Sequence, residues 1–137
     1  MSIEQVADRI AVQDVMQNYA AGVDERDMER YRACFADDVE VLDFGPEAFH
    51  GADAWVAYVV EALKQFGPTQ HMLSPVYAEI EGDVAECRTD VQALHFLAAD
   101  PEKKLTLWAT YETQMVRTGG GWKIKRHRLV ARGTRTD

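Results

Sequence analysis

The chain has 137 residues, 47% of them hydrophobic and 28% charged, and carries a formal net charge of −8 at pH 7. That balance disfavours nucleic acid and anionic membranes as partners, and no apolar run approaches the ~20 residues of a membrane span. The first residues show no basic-then-apolar leader, and Cys34 and Cys87 make neither a disulfide framework nor a CxxC pair, so a cytoplasmic location is expected.

Ser2-Ile3-Glu4-Gln5 reads as a capping box opening a helix whose apolar residues, from Ile3 through Val12, Met16 and Tyr19 to Val23, keep the helical period to about Ala21 or Gly22. Asp27 can cap a second helix from Met28 to about Phe35. Val39 to Phe44 reads as a strand stopped by Gly45-Pro46, and a third helix covers roughly Ala52 to Phe66. From there the chain turns to strands: a hairpin over Phe66 to Ala98, a strand from Leu105 to Arg117, a Gly-rich turn, and a last strand from Trp122 to about Arg135. Helices first and a long antiparallel sheet afterwards indicate an α+β fold in one domain over 1–137, with the helices covering one face of the sheet. A strongly curved sheet would enclose a pocket with them.

The hairpin organises the candidate chemistry. Gly82-Asp83 suits a type II′ turn, and a regular ladder from that turn sets His71 opposite Leu94 and His95 opposite Gln70. His95 shares an apolar face with Ala85, Cys87, Val91, Ala93 and Leu97, so it points inward, whereas strict alternation puts His71 outside. Ser74-Pro75 interrupts the first strand, and a proline there favours a bulge that would flip His71 inward beside His95.

Asp24, where the first helix ends, is a turn aspartate or a carboxylate aimed at His71, which would fix the imidazole tautomer and make a general base. His95 is a core histidine or a group that holds or protonates a substrate oxygen. Tyr19 and Tyr111 are core residues or hydrogen-bond donors to substrate. Asp43 faces solvent or, if buried, is a second base with a raised pKa. The basic run Lys123, Lys125, Arg126, Arg128, Arg132 and Arg135 reads as a solvated or edge-protecting face. His50 and His127 receive no role, and without HxH or HExxH spacing no metal site is assigned.

The stretches AVQDVMQNYAAGVDERDMERYRACFADDVEVLDFG, TQHMLSP, ALHFLA and GGGWKI resemble the SnoaL-like branch of the nuclear-transport-factor-2-like superfamily over nearly the whole chain. The resemblance implies a cone of curved sheet closed by three helices. The nearest pattern is similar to scytalone dehydratases and hexachlorocyclohexane dehydrochlorinases, in which an aspartate after the first helix pairs with a histidine as the base of an elimination. Asp24 and His71 match that dyad, and His95 matches the dehydratases' second histidine. Val23, Asp43-Phe44, Ala109 and Tyr111 depart from the dehydratase pattern, which bears on the substrate. Ketosteroid isomerases offer another match, with Tyr19 and Asp43 in the places of the oxyanion donor and the proton shuttle, although Glu112 does not supply the third residue. The resemblance therefore implies a dehydratase-like lyase working without cofactor on a small, mostly apolar hydroxylated ring or ketone. An isomerase or a non-catalytic binding protein is the alternative, and a homodimer or higher oligomer is expected.

Overall fold

The computed structural model describes all residues, 1–137. Helix α1 (Ile3–Asp24) is opened by the capping box, with the Gln5 N–H donating to Ser2 Oγ at 3.1 Å and the Ser2 N–H donating to Gln5 Oε1 at 2.7 Å. Ile3, Val6 and Ile10 in its first half stay exposed, while Val12, Met16, Tyr19 and Val23 enter the core. The short α2 (Met28–Arg32) is capped by Asp27. It packs so closely on α1 that a Cβ on Gly22 would lie 2.9 Å from the Tyr31 backbone nitrogen.

Strand β1 (Phe35–Leu42) begins where the second helix was expected still to run, because Phe35 joins the ladder opposite Ile124. A two-residue β2 (Phe49–His50) precedes α3 (Ala52–Leu63), which ends three residues early as Phe66 opens β3 (Phe66–Leu73). The remaining strands are β4 (Tyr77–Glu81), β5 (Val84–Leu97), β6 (Lys104–Thr118) and β7 (Gly121–Thr136). Their order is β2-β1-β7-β6-β5-β3, with β4 also paired to β5, and the β1–β7 pair is parallel. The result is a mixed α+β cone in which a curved, unclosed seven-strand sheet is covered on one face by the helices.

The hairpin behaves as its proline suggests. Gly82 takes φ 60 and Asp83 keeps a negative φ, as a type II′ turn requires. Beyond Tyr77, which faces Arg88, three residues (Ser74, Pro75, Val76) oppose two (Thr89, Asp90) before Leu73 meets Val91. That one-residue bulge changes the register, so His71 faces Ala93 rather than Leu94, and His95 faces Thr69 rather than Gln70. Because partners across a ladder share a face, both imidazoles lie inside. The bulge's polar groups are satisfied: Ser74 N donates to Asp90 O, Asp90 N to Ser74 Oγ, and Val76 N to Gln13 Oε1, each at 2.9 Å.

The core runs from Met16, Tyr19 and Tyr31 through Phe35 and Val41 to Met115 and Ile124. Both cysteines are free and buried, and burial pushes their thiols up, Cys34 to about 12 and Cys87 to about 11. No helix is long and apolar enough to cross a membrane.

Candidate active site

Asp24 is the last residue of α1, and the chain turns there so that its carboxylate faces β3. Oδ1 lies 2.8 Å from His71 Nδ1, Oδ2 accepts the His71 backbone N–H at 2.7 Å, and the Thr69 hydroxyl donates to Oδ1 at 2.9 Å. Burial pushes this carboxyl up, but the bonds from His71 and Thr69 outweigh it and hold its pKa below the ordinary carboxylate value. An ionised carboxylate only accepts, so His71 Nδ1 carries the hydrogen, and in the neutral imidazole the lone pair is on Nε2. The site is sheltered rather than sealed, with the side chains of His71 and Asp24 9% and 19% exposed.

His95 stands edge-on to His71 with ring centroids 5.6 Å apart, and Phe66 covers its other side at 4.7 Å. Its Nδ1 is 3.2 Å from the Leu105 carbonyl, which can only accept, so Nε2 again holds the lone pair. Burial holds the His95 pKa below the ordinary imidazole value, with the Leu105 bond partly opposing. A neutral His95 therefore accepts a hydrogen from a ligand hydroxyl rather than donating one. On the same inner face, Leu97, Leu105 and Leu107 are only half-buried and offer apolar surface near the two imidazoles.

The other sequence candidates lie elsewhere. Asp43 is exposed just after β1, with φ 65, and accepts a 2.7 Å bond from Arg128 Nε, so it is a surface ion-pair partner and not a buried base. Tyr19 and Tyr111 are packed in the core, their ring centroids 5.1 Å apart, and no hydrogen bond joins either to Asp24, His71 or His95. The hydroxyl of Tyr19 is bonded to His127 Nε2 at 2.8 Å. Of the basic run, Arg126 and Arg128 pair with Glu40 and Asp43, and Lys125 with Asp38, on the sheet's outer face.

His127, which the sequence reading left without a role, is fully buried among Tyr19, Phe44 and Tyr111. Desolvation lowers its pKa to about 3, so it is a neutral core residue. A signal existed: Ile124 and Leu129 are apolar positions of opposite parity, so the strand must switch register between them, and the ladder is irregular at Gln114/Met115, opposite that stretch. No group of three or more His, Cys, Asp or Glu side chains is placed to hold a metal ion.

The model of the SnoaL-like domain family matches residues 4–128. An uncharacterized protein of Mycobacterium tuberculosis is 26% identical over 130 residues, covering 92% of this chain and 86% of that protein. Among solved structures, a protein of Novosphingobium aromaticivorans provisionally assigned as a scytalone dehydratase superposes with a TM-score of 0.90 at 24% identity, covering 98% of this chain and 91% of that one. A type 2 hexachlorocyclohexane dehydrochlorinase superposes with a TM-score of 0.89 at 22% identity, covering 98% and 92%. A type 3 dehydrochlorinase of Novosphingobium barchaimii gives 0.87 at 21%, covering 98% and 93%. At these identities the structures establish the cone fold, and the match over residues 4–128 establishes that the chain belongs to the SnoaL-like domain family.

Proposed function

We propose that this protein is a cofactor-independent lyase that removes a proton from carbon and expels water or another leaving group from a small, mostly apolar ring. The observation that carries the reading is the 2.8 Å contact between Asp24 Oδ1 and His71 Nδ1, which leaves Nε2 of the neutral imidazole free to act as a base in a site that is sheltered but not sealed. Asp24 is the orienting carboxylate and stabilises the imidazolium as it forms. His71 is the base. The C–H pair becomes the new C=C bond, the C–O bond breaks, and the proton on His71 Nε2 leaves with the departing hydroxide as water. His95 accepts a hydrogen from the substrate hydroxyl and so holds the oxygen in place. The fold neighbours that are dehydrochlorinases or assigned as dehydratases support an elimination.

In the same reading the protein works in the cytoplasm as a homodimer or larger assembly joined through the outer face of the sheet, which exposes Met72, Tyr77 and Trp108. The test is a screen of β-hydroxy ketones and halogenated or hydroxylated rings, with water or halide release as readout and His71→Ala as control. Turnover by wild type that falls by about 10²–10⁴ in H71A supports the reading. Turnover that survives H71A overturns it.

A further inference from the structure

Arg26 is an arginine where the backbone asks for glycine. Helix α1 ends in a Schellman turn, with Arg26 N donating to Val23 O at 3.1 Å and Asp27 N to Gly22 O at 2.8 Å. Arg26 itself takes φ 59, in the left-handed region that favours glycine. A side chain kept at such a position is a pointer to something the side chain does. Here the guanidinium is tied at three points: Nη1 donates to Val23 O and to Thr69 Oγ1, each at 2.8 Å, and Nη2 donates to Gly67 O at 2.6 Å.

Arginine has no acceptor, and a threonine hydroxyl has one hydrogen. With Arg26 occupying a lone pair on Thr69 Oγ1, the hydroxyl hydrogen is free for Asp24 Oδ1, 2.9 Å away. The chain of donors then has one direction, from Arg26 to Thr69 to Asp24. Asp24, fixed as an acceptor, holds the hydrogen on His71 Nδ1 and the lone pair on Nε2.

We infer that Arg26 and Thr69 are positioning residues of the Asp24–His71 dyad: Arg26 orients the Thr69 hydroxyl, and that hydroxyl holds Asp24 in the geometry and charge state that select the His71 tautomer. The inference rests on the dyad reading and extends it to two residues that touch no reacting atom. The charged and titratable groups around the dyad are Arg26 after α1, His95 on β5 and Tyr111 on β6, and of these Arg26 alone reaches Asp24 through a hydrogen-bonded bridge.

The experiment is imidazole ¹⁵N spectroscopy at neutral pH, with a carboxyl ¹³C titration of Asp24, on wild type, Thr69→Val, Thr69→Ser, Arg26→Gly and Asp24→Asn. Wild type should show His71 as a single Nδ1–H form. T69V and R26G should shift His71 towards a mixture of tautomers, T69S should restore it, and T69V should raise the Asp24 midpoint by about one unit, the size of a hydrogen bond to a charged group. If T69V and R26G leave both signals in place while D24N moves His71, the dyad stands and the positioning role is wrong. If D24N itself leaves His71 unchanged, the dyad reading falls and takes the positioning role with it. Should R26G fail to fold, T69V still decides, because valine is isosteric and leaves the Arg26 bonds to Gly67 and Val23 intact.

Discussion

Asp24 occupies an unfavourable place for an anion. The last turn of α1 carries the partial negative charge of unpaired carbonyls, and a carboxylate there is typically destabilised by about 0.3–1 kcal/mol. Four groups offset it: the His71 ring, the His71 backbone N–H, Thr69, and Arg26 behind Thr69. In the proposed elimination, asparagine at this position would keep the size and lose the charge that stabilises the imidazolium. Asp24→Asn should therefore lower kcat by about 10²–10⁴ with little change in KM, since the lost interaction strengthens only as the proton moves. Steady-state kinetics on the substrate found by screening would check this, and a rise in KM at constant kcat would count against it.

At the scale of elements, the site exists because a strand is irregular. Ser74-Pro75-Val76 against Thr89-Asp90 converts the outward His71 of a regular hairpin into the inward His71 facing Ala93. Pro75→Val supplies the missing ladder donor and should favour the regular register, in which His71 meets Leu94 on the outer face and loses its coupling to Asp24, while amide spectra of β5 and β6 remain dispersed. A retained Asp24–His71 contact in that variant would mean that the proline is not what sets the bulge. The junction of α1 and α2 makes a separate prediction. Gly22→Ala would force a methyl to 2.9 Å from the Tyr31 nitrogen, an overpacking worth about 1–3 kcal/mol, visible as a lowered Tm.

The same elements show what the sequence could and could not carry. Capping at Ser2, the Gly82-Asp83 turn and the inward face of β5 are local matters of hydrogen bonding and period 2, and each was readable from a few neighbouring residues. The Ser74-Pro75 break was readable because proline lacks a ladder donor. The early end of α2 at Arg32 was not, because Phe35 is drawn into β1 by its pairing with Ile124, some ninety positions away in the chain. Asp43 was left open between surface and site by its neighbours alone, and Arg128 from the last strand decides it.

For the molecule as a whole, acid stability should follow His127. Its pKa in the folded state is lowered to about 3, whereas an unfolded histidine titrates near 6.5. The sign follows from proton counting: between those values the unfolded chain binds a proton that the folded one excludes, so stability falls as pH drops below about 6.5. The slope is about 1.4 kcal/mol per pH unit for this one group. Asp24 acts in the same direction at lower pH, since a depressed carboxyl stabilises the fold above the unfolded value near 3.9 and loses that contribution as pH falls through its folded value. His127→Phe keeps an aromatic ring among Tyr19, Phe44 and Tyr111, and should reduce the loss of Tm between pH 7 and pH 4.5 relative to wild type. An unchanged loss would assign the acid sensitivity elsewhere.

Whether Asp24 and His71 act as one unit is decided by a histidine NMR pH titration of wild type and Asp24→Asn. One imidazole, assigned to His71 by His71→Gln, should change its titration when Asp24 becomes asparagine, while the signals of His50 and His127 stay where they were. Four imidazoles that all titrate without regard to residue 24 would contradict the dyad and the lyase built on it.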